Sequence, residues 1–162
     1  MKFVLISDVH VDSNTWQPEI LAEFRDIGTL VVAGDISNDV HTTCQWLTQL
    51  RSSWGRVIWV AGNHDHYNSG FHQTRLRGDK PSPRTVQEIY QHYQEHAQQE
   101  GIDFLHRSSV VVDGVEFCGV TGWHDFVAGE PYSQQQQIAA WQRFMTDSHV
   151  TPWGSDDSVA ML

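Results

Sequence analysis

The chain has 162 residues, 40% hydrophobic and 19% charged, which is ordinary for a globular protein and long enough for one domain with a sizeable core. Its formal net charge of −10 argues against long nucleic acid as a partner, because that affinity comes largely from Lys and Arg on phosphates. A phosphate-bearing small molecule is still admissible if metal ions carry positive charge locally.

The opening MKFVLISDVH meets Asp8 after a short apolar run. That run is too brief for a signal-peptide core or a membrane span, so a cytoplasmic protein without membrane association is expected. Lys2 to Ile6 reads as a first strand, followed by SDVH. Thr29 to Ala33 reads as a second, followed by GDISN, and Arg56 to Ala61 as a third, followed by GNHDH. All are short runs rich in Val and Ile, the pattern of strands covered on both faces. Between them, Gln17 to Ile27 carries Ile20, Phe24 and Ile27 at helical spacing. Asp39 to Leu50 carries Val40, Cys44, Leu47 and Leu50, with Asn38 or Asp39 as its cap. This alternation predicts a parallel sheet, and the polar clusters then converge at the C-terminal ends of its strands, where open α/β sheets bind ligands.

Beyond Tyr67, a stretch with Gly70, Gly78, Pro81 and Pro83 reads as a long loop beside the clusters, placed for a lid or substrate-facing role. Ser82-Pro83 is expected to open a helix with Val86, Ile89, Tyr90, Tyr93 and Ala97 inward, ending near Gly101. Ser108 to Gly122 predicts a hairpin turning at Asp113-Gly114, the start of a second sheet. Ser133 is placed to cap a further helix with Ile138, Trp141 and Met145 inward. The final GSDDSVAML sets helix-start residues before an apolar stub, as in a longer sequence cut at the start of its next element. The two cysteines, Cys44 and Cys118, form no C-x-x-C, so buried thiols in a reducing compartment are expected. Trp46, Trp54 and Trp59 are expected in the core or its rim.

Asp8, His10, Asp35 and Asn63 combine hard oxygens with an imidazole nitrogen, a donor set suited to Mn, Fe, Zn or similar divalent ions. In D-x-H, both side chains can point to one side of an extended segment. Asp35 is able to bridge two ions, and a water shared between them would lose a proton near neutral pH and become a nucleophile. His64 is then positioned to protonate the leaving oxygen. Taken singly, D-x-H and G-D are commonplace and are more often turn residues. G-N-H-D is far rarer, and the ordered set behind successive strands is what carries the reading.

That set, D-x-H, G-D-x-x-N and G-N-H-D, resembles the calcineurin-like metallophosphoesterases, a superfamily of two-metal phosphoester hydrolases. The resemblance implies an α/β/β/α sandwich with the site at one edge of two packed sheets. It assigns Asp8 and His10 to one metal, Asp35 as the bridge, Asn63 to the second metal and His64 as the catalytic acid. GVTGWHDF, from Gly119 to Phe126, also resembles a Trp-x-Asp-Phe segment of certain bacterial members.

Two departures from the family pattern bear on function. Asn38 stands where the family often has an Asp that orients the catalytic His; its amide still accepts a hydrogen bond but adds no negative charge. The late G-H-x-H is absent, so by the family pattern both metals lose ligands. His124 and His149 are the nearest substitutes. One domain over residues 1–162 is therefore expected, of metallophosphoesterase type and lacking its C-terminal part.

His66 and His72 are candidates for substrate contact, and Asp65 for fixing the loop's geometry. His92 and His96 are expected on a solvated helix face, and no P-loop or G-x-S-x-G motif is present. The expected function is metal-dependent hydrolysis of a phosphomonoester or phosphodiester in a small molecule, with two divalent ions. The alternative is a non-catalytic or truncated member of the fold acting as a binding module. A truncated sheet would expose an unpaired edge and apolar surface, which predicts an oligomer or a covering partner.

Overall fold

The computed structural model describes residues 1–13, 18–67, 85–123, 126 and 131–152. The loop beyond Tyr67, with His72 and the expected helix start at Ser82-Pro83, lies outside them, as do His124 and the final residues.

Four parallel strands form the first sheet: β1 (Val4–Ile6), β2 (Thr29–Ala33), β3 (Arg56–Val60) and β4 (Asp103–Phe104), in that spatial order. Side chains alternate across it as the pleat requires. On one face Leu30, Val32, Val57 and Trp59 join the main core, with Val4 and Ile6 packed against it. On the other, Ile58 and Val31 meet Leu105, Val112, Val110 and Phe117. The expectation of strands covered on both faces holds for β2 and β3 but not for β1. As the edge strand it leaves Leu5 60% exposed.

Helices α1 (Val40–Ser53) and α2 (Val86–Glu100) line the first face. Asp39 caps α1, its carboxylate accepting from the Thr42 N–H at 2.8 Å, so the cap lies where the sequence placed it. The helix α2 starts from Thr85, whose hydroxyl accepts from the Glu88 N–H while Glu88 reaches back to the Thr85 N–H. It ends at Gly101, as the sequence predicts. Trp59 is fully buried between Tyr93, edge-on at 4.8 Å, and Phe104, stacked at 4.6 Å. His96 is not on a free face: its Nε2 lies 3.2 Å from the Thr48 hydroxyl of α1, and the His92 ring meets His41 edge-on.

The second sheet comprises β5 (Ser108–Val112) and β6 (Val115–Gly119), an antiparallel hairpin turning at Asp113-Gly114, both with positive φ. It packs on the far face of the first sheet, giving two sheets face to face with helices behind the first. Phe3 meets Phe117 across the gap, edge-on at 5.3 Å.

Three expectations need correction. Pro18–Ile27 is a 3-10 helix rather than an α-helix, so the spacing that put Phe24 inward does not apply; Phe24 is 41% exposed and Leu21 is buried instead. Helix α3 (Gln134–Phe144) starts at Ser133 as expected but buries none of its residues, and Met145 is exposed. Cys44 is buried, whereas Cys118 is exposed on β6. A last short helix, α4 (Asp147–Val150), follows α3. Among the described residues, no helix is long and apolar enough to cross a membrane.

Trp59→Ala is expected to cost about 3–5 kcal/mol of stability by opening a cavity between the helices and the first sheet. Urea denaturation monitored by far-UV circular dichroism measures it directly.

Candidate functional site

Each of the first three strands ends in a loop, and the loops run side by side. The Asp8 N–H donates to the Gly34 carbonyl, the His10 N–H to the Asp35 carbonyl and the Val11 N–H to the Ile36 carbonyl, at 3.1, 3.1 and 2.8 Å. The loop behind β1 is thereby fixed against the loop behind β2. Asp8, His10 and Asp35 all adopt positive φ, at 53°, 41° and 55°. Side chains rarely hold that conformation without a reason, although Asp and His tolerate it better than most.

The loops behind β2 and β3 approach still more closely. A Cβ on Gly34 would stand 2.4 Å from the Gly62 nitrogen, and one on Gly62 would stand 2.1 Å from Asp35 Oδ1. The glycines of GDISN and GNHDH are therefore there for contact: any side chain would force the loops apart.

Asp65 ties this crossing together. Fully buried, its carboxylate accepts from the backbone N–H groups of Asp35, Ile36, Ser37 and Gly62, at 2.9, 2.9, 3.3 and 2.8 Å, and from the Thr43 hydroxyl at 3.3 Å. Burial pushes this carboxyl up, to about 7, against the downward pull of the donors from Gly62, Ser37 and Ile36. With N–H and O–H groups facing both oxygens, the loop is built around an acceptor.

On this frame, Asp35 Oδ1 accepts from the His64 N–H at 2.9 Å, and His64 Nδ1 donates to Asn38 Oδ1 at 2.7 Å. The His10 and His64 rings meet edge-on at 4.6 Å. Metal-capable atoms of His10, Asp35 and His64 all lie within 4.8 Å of one another, on half-buried side chains. The His10 imidazole and the Asp35 carboxylate suit a divalent ion of the Mn, Fe or Zn kind. By contrast His64, with Nδ1 donating to Asn38, has only Nε2 left to serve either an ion or a proton transfer. His64, assigned by the resemblance to proton transfer alone, stands inside this group. Asp8 is exposed and outside it, joined to the crossing through its backbone.

Asn63 is held differently. Its Nδ2 donates to the Tyr67 hydroxyl at 2.9 Å and to Asp147 Oδ1 at 2.7 Å, and the Tyr67 hydroxyl donates to the same Asp147 oxygen at 2.9 Å. Burial first, then Asp147, pushes the Tyr67 hydroxyl up to about 12, so it stays protonated and able to donate. Neither Tyr67 nor Asp147 was evident as a site residue from sequence. The late histidine proposed as a substitute, His149, lies exposed on α4, while Asp147 of the same helix is buried against Asn63.

His66 departs from the substrate-facing position expected for it. It is fully buried, its Nδ1 donating to the Gly62 carbonyl at 2.7 Å, with its ring against Tyr90 and Trp123. The 3-10 turn His64–His66 sends His64 toward His10 and His66 into the core. Trp123 packs on this buried ring.

A family model for the calcineurin-like phosphoesterase superfamily domain matches residues 1–160. The chain belongs to that superfamily. Among solved structures, it is similar to the phosphopantetheinyl hydrolase from Mycobacterium tuberculosis, with a TM-score of 0.62 and 18% identity. The match covers 96% of this chain and 57% of that protein, so the chain spans little more than half the length of its structural relative. No curated protein sequence gives a significant match. The likeness confirms the mixed α/β phosphoesterase fold expected from the motifs, with the parallel sheet and its helices as described.

Asp65→Asn would set amide hydrogens against the backbone donors and is expected to cost roughly 2–4 kcal/mol. Gly62→Ala is expected to destabilise the protein as well, because its Cβ would meet the Asp35 backbone nitrogen at 2.6 Å besides the Asp35 carboxylate. Denaturant melts check both effects.

Burial, mainly, holds the His66 imidazole down, to about 4, below its ordinary 6.5. Between those values the unfolded chain takes up a proton that the native protein refuses. The stability contributed by keeping His66 neutral is thus complete above about pH 6.5 and is lost as pH falls toward 4, by on the order of 3 kcal/mol. His66→Phe should lose less stability than wild type between pH 7 and 4.5. The Asp65 slope, of opposite sign, is common to both proteins and cancels in the comparison.

Proposed function

We propose that this phosphoesterase-family protein is a metal-dependent phosphoester hydrolase acting on a small phosphorylated molecule. The observation that carries the reading is the joint arrangement of His10, Asp35 and His64 with the His64–Asn38 hydrogen bond. His10 and Asp35 offer ion donors, and His64 beside them is oriented for proton transfer.

The residues that would hold divalent ions are His10 and Asp35, gathered in the structure, with Asp8 and Asn63 added by the family resemblance, for two ions per chain. Bound there, such ions would supply Lewis acidity toward phosphoryl oxygens and an activated water. The chain's own groups have separable tasks. Asp35, with Oδ1 fixed by the His64 N–H, is prevented from swinging out of the crossing. Asn38 can only accept through its amide oxygen, so it keeps the proton on His64 Nδ1. That leaves His64 Nε2 as the nitrogen for delivering a proton to the departing alkoxide. As an amide rather than a carboxylate, Asn38 orients the ring without adding charge.

The −10 net charge supports small substrates over nucleic acid, since anionic polymers are repelled at long range. The name of the structural relative, a phosphopantetheinyl hydrolase, fits a phosphoester-cleaving activity, and at 18% identity it selects no substrate for this chain.

The test is Mn-stimulated hydrolysis of an aryl phosphate and a bis-aryl phosphodiester by the 162-residue chain, with metal content measured alongside. Activity with both Asp35→Asn and His64→Ala lowered at least about 100-fold is expected, the scale of a lost general acid or metal anchor. A chain that binds ions without hydrolysing either ester would overturn the reading in favour of a binding role.

A further inference from the structure

Asn63 differs from the other candidate ligands in that its usefulness depends on which way round its amide sits. The oxygen binds cations and the nitrogen does not. Asp147 decides the matter by geometry: its Oδ1 already receives the Tyr67 hydroxyl, so it meets the amide as an acceptor and the amide must face it with nitrogen. Turned over, Asn63 would set oxygen against oxygen at 2.7 Å. The Tyr67 hydroxyl closes the arrangement, accepting from Asn63 and donating to Asp147 Oδ1. The amide nitrogen, the Tyr67 hydroxyl and Asp147 Oδ1 thus form a tight triangle in which the amide oxygen takes no part.

The lock is assembled from distant parts of the chain. Asp147 stands 84 residues from Asn63 in sequence and is only 6% exposed. Its helix is anchored just beyond by Thr151, which is buried, and by the Pro152 carbonyl, which accepts from the Val86 N–H at the start of α2. These contacts hold Asp147 against the amide.

We propose that Asp147, together with Tyr67, is a positioning residue that locks the Asn63 amide with its oxygen free for a divalent ion. On this view the late part of the chain contributes to the site by orienting a ligand that the third strand's loop already supplies. The benefit to ion binding rests on the metal-dependent reading above, whereas the lock itself exists without metal.

The test follows the Asn63 side-chain amide by ¹⁵N–¹H NMR in metal-free protein, its pair of resonances identified by their loss in Asn63→Asp. In wild type the pair should be displaced from the positions of exposed asparagines, with slow hydrogen exchange. Asp147→Ala should return it to those positions and speed exchange at least about tenfold, and Tyr67→Phe should shift it partway. Asp147→Leu, which keeps the bulk and removes the acceptor, serves as a second variant if the alanine form does not fold, and backbone resonances report folding in every case. An unmoved amide pair in folded Asp147 variants overturns the proposal. Mn titration followed by electron paramagnetic resonance should show binding of one ion weakened about 10- to 100-fold in Asp147→Leu, the usual effect of losing a ligand's supporting hydrogen bond. Unchanged Mn affinity also overturns it. If wild type binds no Mn while the amide pair responds as described, the lock stands and the metal-dependent function falls.

Discussion

The crossing of the loops behind β2 and β3 depends on one buried carboxylate. Where those strands stop, their sheet hydrogen bonds stop too, and the N–H groups of Asp35, Ile36, Ser37 and Gly62 need acceptors away from water. Asp65 receives all four and the Thr43 hydroxyl besides. Each donor left without a partner at this depth would cost on the order of 1–3 kcal/mol. Satisfying them with one side chain pulls the two loops together, and the absence of a Cβ at Gly34 and Gly62 lets them meet. The position of Asp35, and through it of the His64 backbone, follows from that convergence.

This order of causes explains which parts of the molecule were legible in the sequence. Strand runs of Val and Ile are local signals, and so are the Asp39 cap, the Ser133 cap and the Asp113-Gly114 turn; all appear where the pattern places them. The polar clusters were legible because they follow strands of one parallel sheet, which brings them to a common edge whatever the helices do. What local pattern does not encode is which way successive residues of a tight turn point. His64 and His66 look equivalent in sequence, yet one stands beside His10 and the other is sealed under Tyr90 and Trp123. Phe24 was misplaced for a related reason, since a 3-10 helix advances three residues per turn and redistributes the faces that α spacing assigns. Asp147 gave no signal at all, because it sits in a four-residue helix with no periodicity and acts across 84 residues.

Family membership and geometry bear on different questions. The superfamily match over residues 1–160 fixes what kind of protein this is, and the structural relative fixes the fold. What the geometry adds is local: His10, Asp35 and His64 are gathered by the first three strand loops, and Asp147 of the later segment meets Asn63.

The positive φ values at Asp8, His10 and Asp35 bear on which substitutions the crossing tolerates. Backbone held in that region costs of order 1–3 kcal/mol per residue, and glycine at any of these positions would relieve it. At Asp35 the exchange would also remove the carboxylate that accepts from the His64 N–H, so relief of the backbone there would leave a donor without its partner. Glycine would besides cost conformational entropy on folding. The three strained side chains thus stand where the loops cross, and at Asp35 the strain is tied to a contact that holds the crossing together.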